Sequence, residues 1–314
     1  MLRFIVRRLL LALPTMLISA AAVFFLIRLI PGDPASLMLG DQVDASSLAD
    51  LRQRMGLDRA LPTQFVLWVV QLLQGDFGMS IRTDEPVLRL VFDRFIVSAG
   101  IVFVAVAVAS LIAVPAGMLA AWKQDSKLDI GLVGAATVLL SIPSFWLGLM
   151  LLYVFGYKFG WLPVVGYVSF SEDAGMAALY LILPIATLVL HEVGILVRMA
   201  RASTLEVLRL DYITHARAKG LSETAVLCRH AFRNAFGPTW TLIGLVLGNL
   251  LGGIAVVETV FTIPGLGRLL VDSIFGRDYP VIQGCLLFIV FVYVMVNLVV
   301  DLLYPLFDPR VTEE

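Results

Sequence analysis

Six apolar stretches alternate with polar segments along the chain, at 9–30, 97–121, 130–157, 176–197, 238–257 and 281–300. A hydrocarbon core about 30 Å thick takes about 20 helical residues to cross, and each stretch meets that length. Only the first, with Arg28, and the fourth, with His191 and Glu192, contain an acidic, basic or histidine side chain. Backbone groups in lipid must pair within their own segment, so these stretches predict helices, whereas barrel strands would be shorter and would alternate. The expected fold is an all-α integral membrane protein with six transmembrane helices.

The polar segments set orientation and organisation. With the amino terminus inside, inward segments hold 13 Lys and Arg residues, seven of them between Arg198 and Arg233, and the two short outward loops hold three, Lys158, Arg268 and Arg277. Positive charge resists crossing, so both termini are expected on the cytoplasmic side. Arg3, Arg7 and Arg8 before Ala20-Ala21-Ala22 invite a signal-peptide reading, but the apolar run continues through Phe24, Phe25 and Leu26 and is too long for a secretory core. The expected divisions are a tail and first helix at 1–30, an external loop domain at 31–96, a five-helix core at 97–304 enclosing a cytoplasmic segment at 198–237, and a tail at 305–314.

In the external segment, Ser47 with Leu48, Leu51 and Met55, and Pro62 with Phe65, Val69 and Leu72, read as two short amphipathic helices. They form either a small domain on the membrane face or a structured linker. In the cytoplasmic segment, helix formers run from Arg201 to Lys219, Gly220 interrupts them, and Ser222 can cap a second helix to about Asn234. Val226, Leu227, Ala231 and Phe232 fall on one face of that helix. Such a stripe requires either the lipid surface or a partner protein to cover it.

Of 314 residues, 60% are hydrophobic and 15% charged, beyond what one water-soluble core could bury. A formal net charge of −1 gives no bias toward nucleic acid, and the two cysteines, Cys228 and Cys285, sit on different segments and indicate no disulfide framework. The chain contains no G-x-x-x-x-G-K-[ST] phosphate loop, so nucleotide-driven work must be supplied by a partner. His191-Glu192 would need a second histidine one turn on to make a zinc protease, and position 195 is Ile195.

Tyr212-Ile213-Thr214-His215-Ala216-Arg217-Ala218-Lys219-Gly220-Leu221-Ser222, followed by His230-Ala231-Phe232-Arg233-Asn234-Ala235, resembles the cytoplasmic signature loop of binding-protein-dependent ABC importer permeases. It is closest to the dipeptide, oligopeptide, nickel and glutathione branch. Of that loop's general pattern, Ala216 and Gly220 match, and Thr214 and His215 depart. Pro31-Gly32-Asp33-Pro34, Gly56-Leu57-Asp58, Gly75-Asp76-Phe77-Gly78, Gly160-Trp161-Leu162-Pro163, Pro264-Gly265-Leu266-Gly267-Arg268, Arg277-Asp278-Tyr279-Pro280 and Asp308-Pro309-Arg310 follow in that branch's order.

The resemblance implies a type I importer permease fold in the bacterial inner membrane, with the first helix packing around a second permease. It implies two cytoplasmic ABC ATPase subunits that use ATP and Mg2+, an external substrate-binding protein, and no cofactor on this chain. The coupling residues it implies are Tyr212, Ala216, Arg217, Ala218, Lys219, Gly220, Leu221, Ser222, His230, Arg233 and Asn234. Within the membrane, Gly244, Gly248 and Gly252 share one face, which reads as either close helix packing or the lining of a pathway. Asn249 and Glu258 are candidates to touch cargo, Glu258 alternatively being a solvated interfacial residue. A secondary transporter or channel acting alone is the competing function.

Overall fold

The computed structural model describes residues 2–28, 52 and 58–306. Apart from Arg52, the helix expected from Ser47 to Met55 lies outside the described residues, as do the motifs at 31–34 and 308–310 and Gly56 and Leu57. All described secondary structure is helical apart from one isolated bridge between Met79 and Pro86. The helices are α1 (Leu2–Arg28), α2 (Leu61–Leu73), α3 (Val87–Trp122), α4 (Lys127–Ser141), α5 (Ser144–Leu151), α6 (Ala174–Leu208), α7 (Asp211–Ala218), α8 (Glu223–Ala225), α9 (Phe232–Gly253), α10 (Ala255–Val260), α11 (Leu266–Gly276) and α12 (Tyr279–Leu303). Among the described residues, five helical stretches are long and apolar enough to cross a membrane, and α4 with α5 and its π-helical continuation Leu152–Lys158 makes a sixth if that bent pair counts as one span.

Several boundaries differ from the sequence reading, each for a local reason. The 130–157 stretch is not one straight helix: it bends by 97° between α4 and α5, because Pro143 holds Ile142 in an extended conformation that ends α4. Helix α3 begins ten residues before its apolar run, since Val87 and Val91 are fully buried against Leu266, Val281 and Cys285 while Arg89 and Asp93 stay exposed. Helix α6 likewise continues past Val197 to Leu208, and the chain breaks at Arg209-Leu210, before Asp211.

Helices α3 and α6 share the most extensive contact in the molecule. Its basis is a ridge of small residues four apart on α3: Ala105, Ala109, Ala113 and Gly117 are all buried. A Cβ at Gly117 would lie 2.6 Å from the Val197 carbonyl oxygen and 2.7 Å from Ala200 Cβ. On α6, a Cβ at Gly194 would stand 2.8 Å from the Ala136 carbonyl of α4. Lipid gives no hydrophobic drive for helix association, so the dispersion contacts of this close backbone approach must hold the spans together. Val246 and Leu251 of α9 and Val292 of α12 complete the core, and α1 lies along α12 of its own chain.

At one end of the bundle, Asp278 ties the 80–82 loop down, its carboxylate accepting from Ser80 Oγ (2.6 Å), the Ile81 N–H (3.3 Å) and the Arg82 N–H (3.4 Å). The Gly75-Asp76-Phe77-Gly78 turn needs both its glycines in the left-handed region, with φ of 82° at each.

Gly117→Ala forces α3 and α6 apart and should cost about 1–3 kcal/mol, read as a lower unfolding midpoint of the detergent-solubilised protein. Gly100→Ala and Gly131→Ala, where nothing lies within 4 Å of the added Cβ, should leave the midpoint unchanged or slightly raised.

Candidate coupling element and polar membrane sites

The 198–237 segment is built around a helix stop that only certain residues can make. Helix α7 ends at Ala218, and Gly220 takes the left-handed conformation with φ of 80°. The Leu221 N–H then bonds back to the Ala216 carbonyl (3.4 Å) and the Gly220 N–H to the Arg217 carbonyl (2.9 Å), the two reversed bonds of a Schellman motif. Ser222 caps the next helix, its Oγ accepting from the Ala225 N–H at 3.4 Å. Arg217 closes the turn from outside, donating from Nε and Nη2 to the two Glu223 carboxylate oxygens at 2.9 and 3.1 Å.

The second helix does not stop near Asn234. Helix α8 passes through a π-helical turn, Val226–Ala231, into α9, so one continuous helix of 31 residues, Glu223–Gly253, carries both the element and the fifth span. The wider turn lets Val226, Leu227 and Ala231 all face inward. They meet Ile213 and Ala216 of α7, Val207 of α6, and Val114 and Met118 of α3 in one apolar cluster. The stripe seen in the sequence is therefore covered largely by the protein's own helix ends; Phe232, counted on that stripe, remains 37% exposed.

The opposite surface is open and mostly polar. Tyr212, Arg217, Ala218, Lys219, Gly220, Leu221, Ser222, Arg233 and Asn234 are exposed, His230 is half-buried, and Ala216 alone of the expected coupling residues is buried. Asn234 Nδ2 donates to Tyr212 Oη at 2.7 Å, which braces α7 against α9.

An ion pair beside this element escaped the sequence reading. Arg201 Nε and Nη2 donate to the two Asp129 oxygens at 2.6 and 2.7 Å, joining α6 to the start of α4. Asp129 is 3% exposed and also accepts from the Asp125 N–H at 3.0 Å. The two residues are 72 positions apart, and their only sequence signal is Ser126 three residues before Asp129, a capping spacing.

The intramembrane candidates separate into three environments. Gly244, Gly248 and Gly252 turn toward α12: a Cβ at Gly244 would collide with Val300, one at Gly248 would lie 2.8 Å from the Tyr293 ring, and one at Gly252 would lie 3.1 Å from Ile289. Gly248, Asn249 and Gly252 also border a recess of about 390 Å3 with Thr15, Ser19 and Tyr293. Asn249 is exposed there in mid-helix. Glu258 lies elsewhere and is fully buried, so it is not a solvated interfacial residue. It accepts from Ser98 Oγ (2.5 Å) and the Arg268 N–H (2.8 Å), and Ser98 Oγ accepts in turn from the Leu266 N–H (2.8 Å).

This arrangement explains Pro264-Gly265-Leu266-Gly267-Arg268. Any Cβ on Gly265 would strike the Glu258 carboxyl, and one on Gly267 would come within 2.6 Å of Ala255 Cα. A second recess, of about 740 Å3 and almost wholly apolar, opens between α3 and α6 beneath Tyr167 and Phe170. Glu192 is buried on α6 and Nδ1 of the neighbouring His191 has no hydrogen-bond partner among the described residues.

Multiple spans, a packed helix-turn-helix with an open polar face, and recesses within the bundle fit a multi-pass membrane transport subunit. The chain matches the family described as "Binding-protein-dependent transport system inner membrane component" over residues 113–313, and that family's N-terminal component over residues 1–102. It is 40% identical over 307 residues to a putative peptide transport system permease protein of Brucella suis biovar 1, covering 98% of each chain. It is 39% identical over 331 residues to the dipeptide transport system permease protein DppB of Alkalihalophilus pseudofirmus, and 42% over 312 to the glutathione transport system permease protein GsiC of Salmonella choleraesuis, covering 99% of both chains in each case. The fold is shared with the MetNI methionine ABC transporter in an inward-facing conformation, at a TM-score of 0.58 and 18% identity over 70% of this chain and 97% of that one.

The chain belongs to the binding-protein-dependent transport system inner membrane component family. It is a membrane-spanning permease subunit of an ABC importer, with the type I permease fold.

Asp129→Asn removes the charge that Arg201 is paired with and should cost about 1.5–3 kcal/mol in a denaturant titration of the solubilised protein. Asp129→Ala combined with Arg201→Ala should cost less than the sum of the two single changes, because each single change strands the other charge and the double change strands none.

Proposed function

We propose that this chain forms half of an inward pathway for short peptides and that its coupling element receives motion from a separate ATPase. The observation that carries this reading is the two-sidedness of 198–237: an inner face packed into α3, α6 and α9, and an outer face presenting Tyr212, Arg217, Ala218, Lys219 and Leu221. A partner that grips the outer face moves three spans together, since packed elements move as bodies rather than deforming. The partners of this reading are a second permease, two ABC ATPase subunits that bind ATP and Mg2+, and an external binding protein. The element and both termini lie on the cytoplasmic side, supported by the 13-to-three distribution of Lys and Arg.

Short peptides are the proposed cargo because relatives of near-identical length are named for peptide, dipeptide and glutathione transport. The cargo path runs where Asn249 stands exposed beside Gly248 and Gly252. A carboxamide at membrane depth is costly against hydrocarbon, and a hydrated path or the second permease would satisfy it. Gly244 supports that wall from behind by its contact with α12, and Glu258 holds the α10–α11 turn at its end.

Ala218→Arg tests the docking face. The position is exposed, so stability and membrane insertion should stay within about 0.5 kcal/mol of the parent. Binding-protein-stimulated ATP hydrolysis and dipeptide uptake by the reconstituted transporter should fall by about tenfold or more, equivalent to at least about 1.4 kcal/mol of lost docking. Unchanged coupled activity would remove the assignment, and dipeptide uptake by vesicles holding only this chain would support the stand-alone carrier instead.

A further inference from the structure

Helix α2 carries apolar side chains on more than one face: Phe65, Trp68, Val69 and Leu72 are half-buried, while Val66, Val70 and Leu73 are exposed. Its one buried side chain is the polar Gln64, 8% exposed. The Gln64 Oε1 accepts from Arg28 Nε and Nη2 at 3.1 and 3.0 Å, and its Nε2 donates to the Arg59 carbonyl at 2.8 Å. Outward instead point Val66, Val70 and Leu73, at 58%, 44% and 83% exposure and successive helical turns, with Leu67 beside them. The stretch 61–73 holds no charged residue, although Asp58, Arg59 and Asp76 bracket it. Burying an amide while exposing a row of aliphatic side chains is unfavourable against water and favourable against hydrocarbon.

The depth of α2 follows from what holds it. Phe65 and Trp68 pack on Phe24 with ring centroids 5.2 and 5.3 Å away, and the Arg28 guanidinium lies 3.5 Å from the Phe24 ring centroid. Arg28 is 20 residues beyond Arg8 on the same helix, about 30 Å of rise, which is the thickness of a hydrocarbon core. Arg8 pairs with Asp301 at 2.8 Å near the opposite end of the bundle. The Phe24–Trp68 cluster therefore sits at a hydrocarbon boundary, where tryptophan and snorkelling arginine are favoured. At 13 residues α2 rises only about 20 Å, too short to cross. Phe25 of α1, whose ring stacks on Phe65 at 6.1 Å, and the adjacent Leu26 are likewise exposed, at 43% and 58%.

We propose that α2 is an interfacial helix seated in the bilayer leaflet opposite the coupling element, with Val66, Val70 and Leu73 against acyl chains. The seat clamps the end of α1 at fixed depth through Arg28 and Gln64.

Site-directed spin labels test this in the assembled transporter, reconstituted in vesicles of phosphatidylcholine and phosphatidylglycerol. Exposed Cys228 is replaced by serine and buried Cys285 is kept. Labels at Val66→Cys, Val70→Cys and Leu73→Cys should collide more with oxygen than with a water-soluble nickel chelate, and a label at Arg59→Cys should show the reverse. Preferential nickel access at the three positions would overturn the proposal. So would immobile labels shielded from both reagents, which would mean that the second permease or the binding protein covers α2. The three positions report independently, so one variant failing to insert leaves two readings.

Discussion

Ile213 of α7 and Val226 of the π-helical turn are both wholly removed from solvent, and the apolar cluster they form with Val114, Met118 and Val207 is the contact on which the permease depends. Within the bilayer there is no hydrophobic reward for bringing helices together, because lipid tails are as apolar as leucine. At the water end that reward returns, at about 1.5–3 kcal/mol for each large aliphatic side chain fully buried. Segment 198–237, the proposed coupling element, is fixed there by burial, which leaves its polar outer face open. A helix-turn-helix held only by its two connections could pivot; this one is packed against α3 and α6 and is continuous with α9.

The opposite end of the bundle is held by different means. Glu258, Ser98 and the backbone N–H groups at the start of α11 form a buried hydrogen-bonded group, and Asp278 ties the 80–82 loop to the head of α12. Hydrogen bonds are directional, so these ties specify the path of the re-entering chain, whereas apolar packing at the coupling end mainly resists separation. Between the two ends, the α3–α6 contact is set by how small the facing residues are. Ala105, Ala109, Ala113 and Gly117 form a low ridge that admits α6 closely, and the ion pair from Arg201 to Asp129 adds α4 to the same body.

Much of this was legible in the sequence because lipid imposes its demand residue by residue: a span must be apolar, long and helical. The Gly220 turn was legible for a similar reason, since a left-handed helix stop favours glycine locally. What escaped reading is whatever lies at the water end of a span or depends on partners far along the chain. Searching for charge-poor runs places the start of α3 at Val97, because Arg89, Asp93 and Arg94 interrupt the window, although Val87 and Val91 carry the helix inward at four-residue spacing. The same blindness shortens α6 by eleven residues. The small-residue ridge on α3 does stand at four-residue spacing, but alanine is common in any apolar helix and carries less signal than the glycines of α9. Ser98 and Glu258, 160 positions apart, give no local sign that they meet.

On this proposal, segment 198–237 and the bases of α3, α6 and α9 move as one body. Spin labels at Lys219→Cys on the element and Lys123→Cys at the end of α3, both exposed positions, measure it by pulsed dipolar spectroscopy in the assembled transporter. Movement as one body gives the same distance distribution in the nucleotide-free and the vanadate-trapped states, while the distance between the Lys219 position and its counterpart on the second permease shifts. A change in the 123–219 distance on trapping, with the element swinging against its own helices, would contradict it.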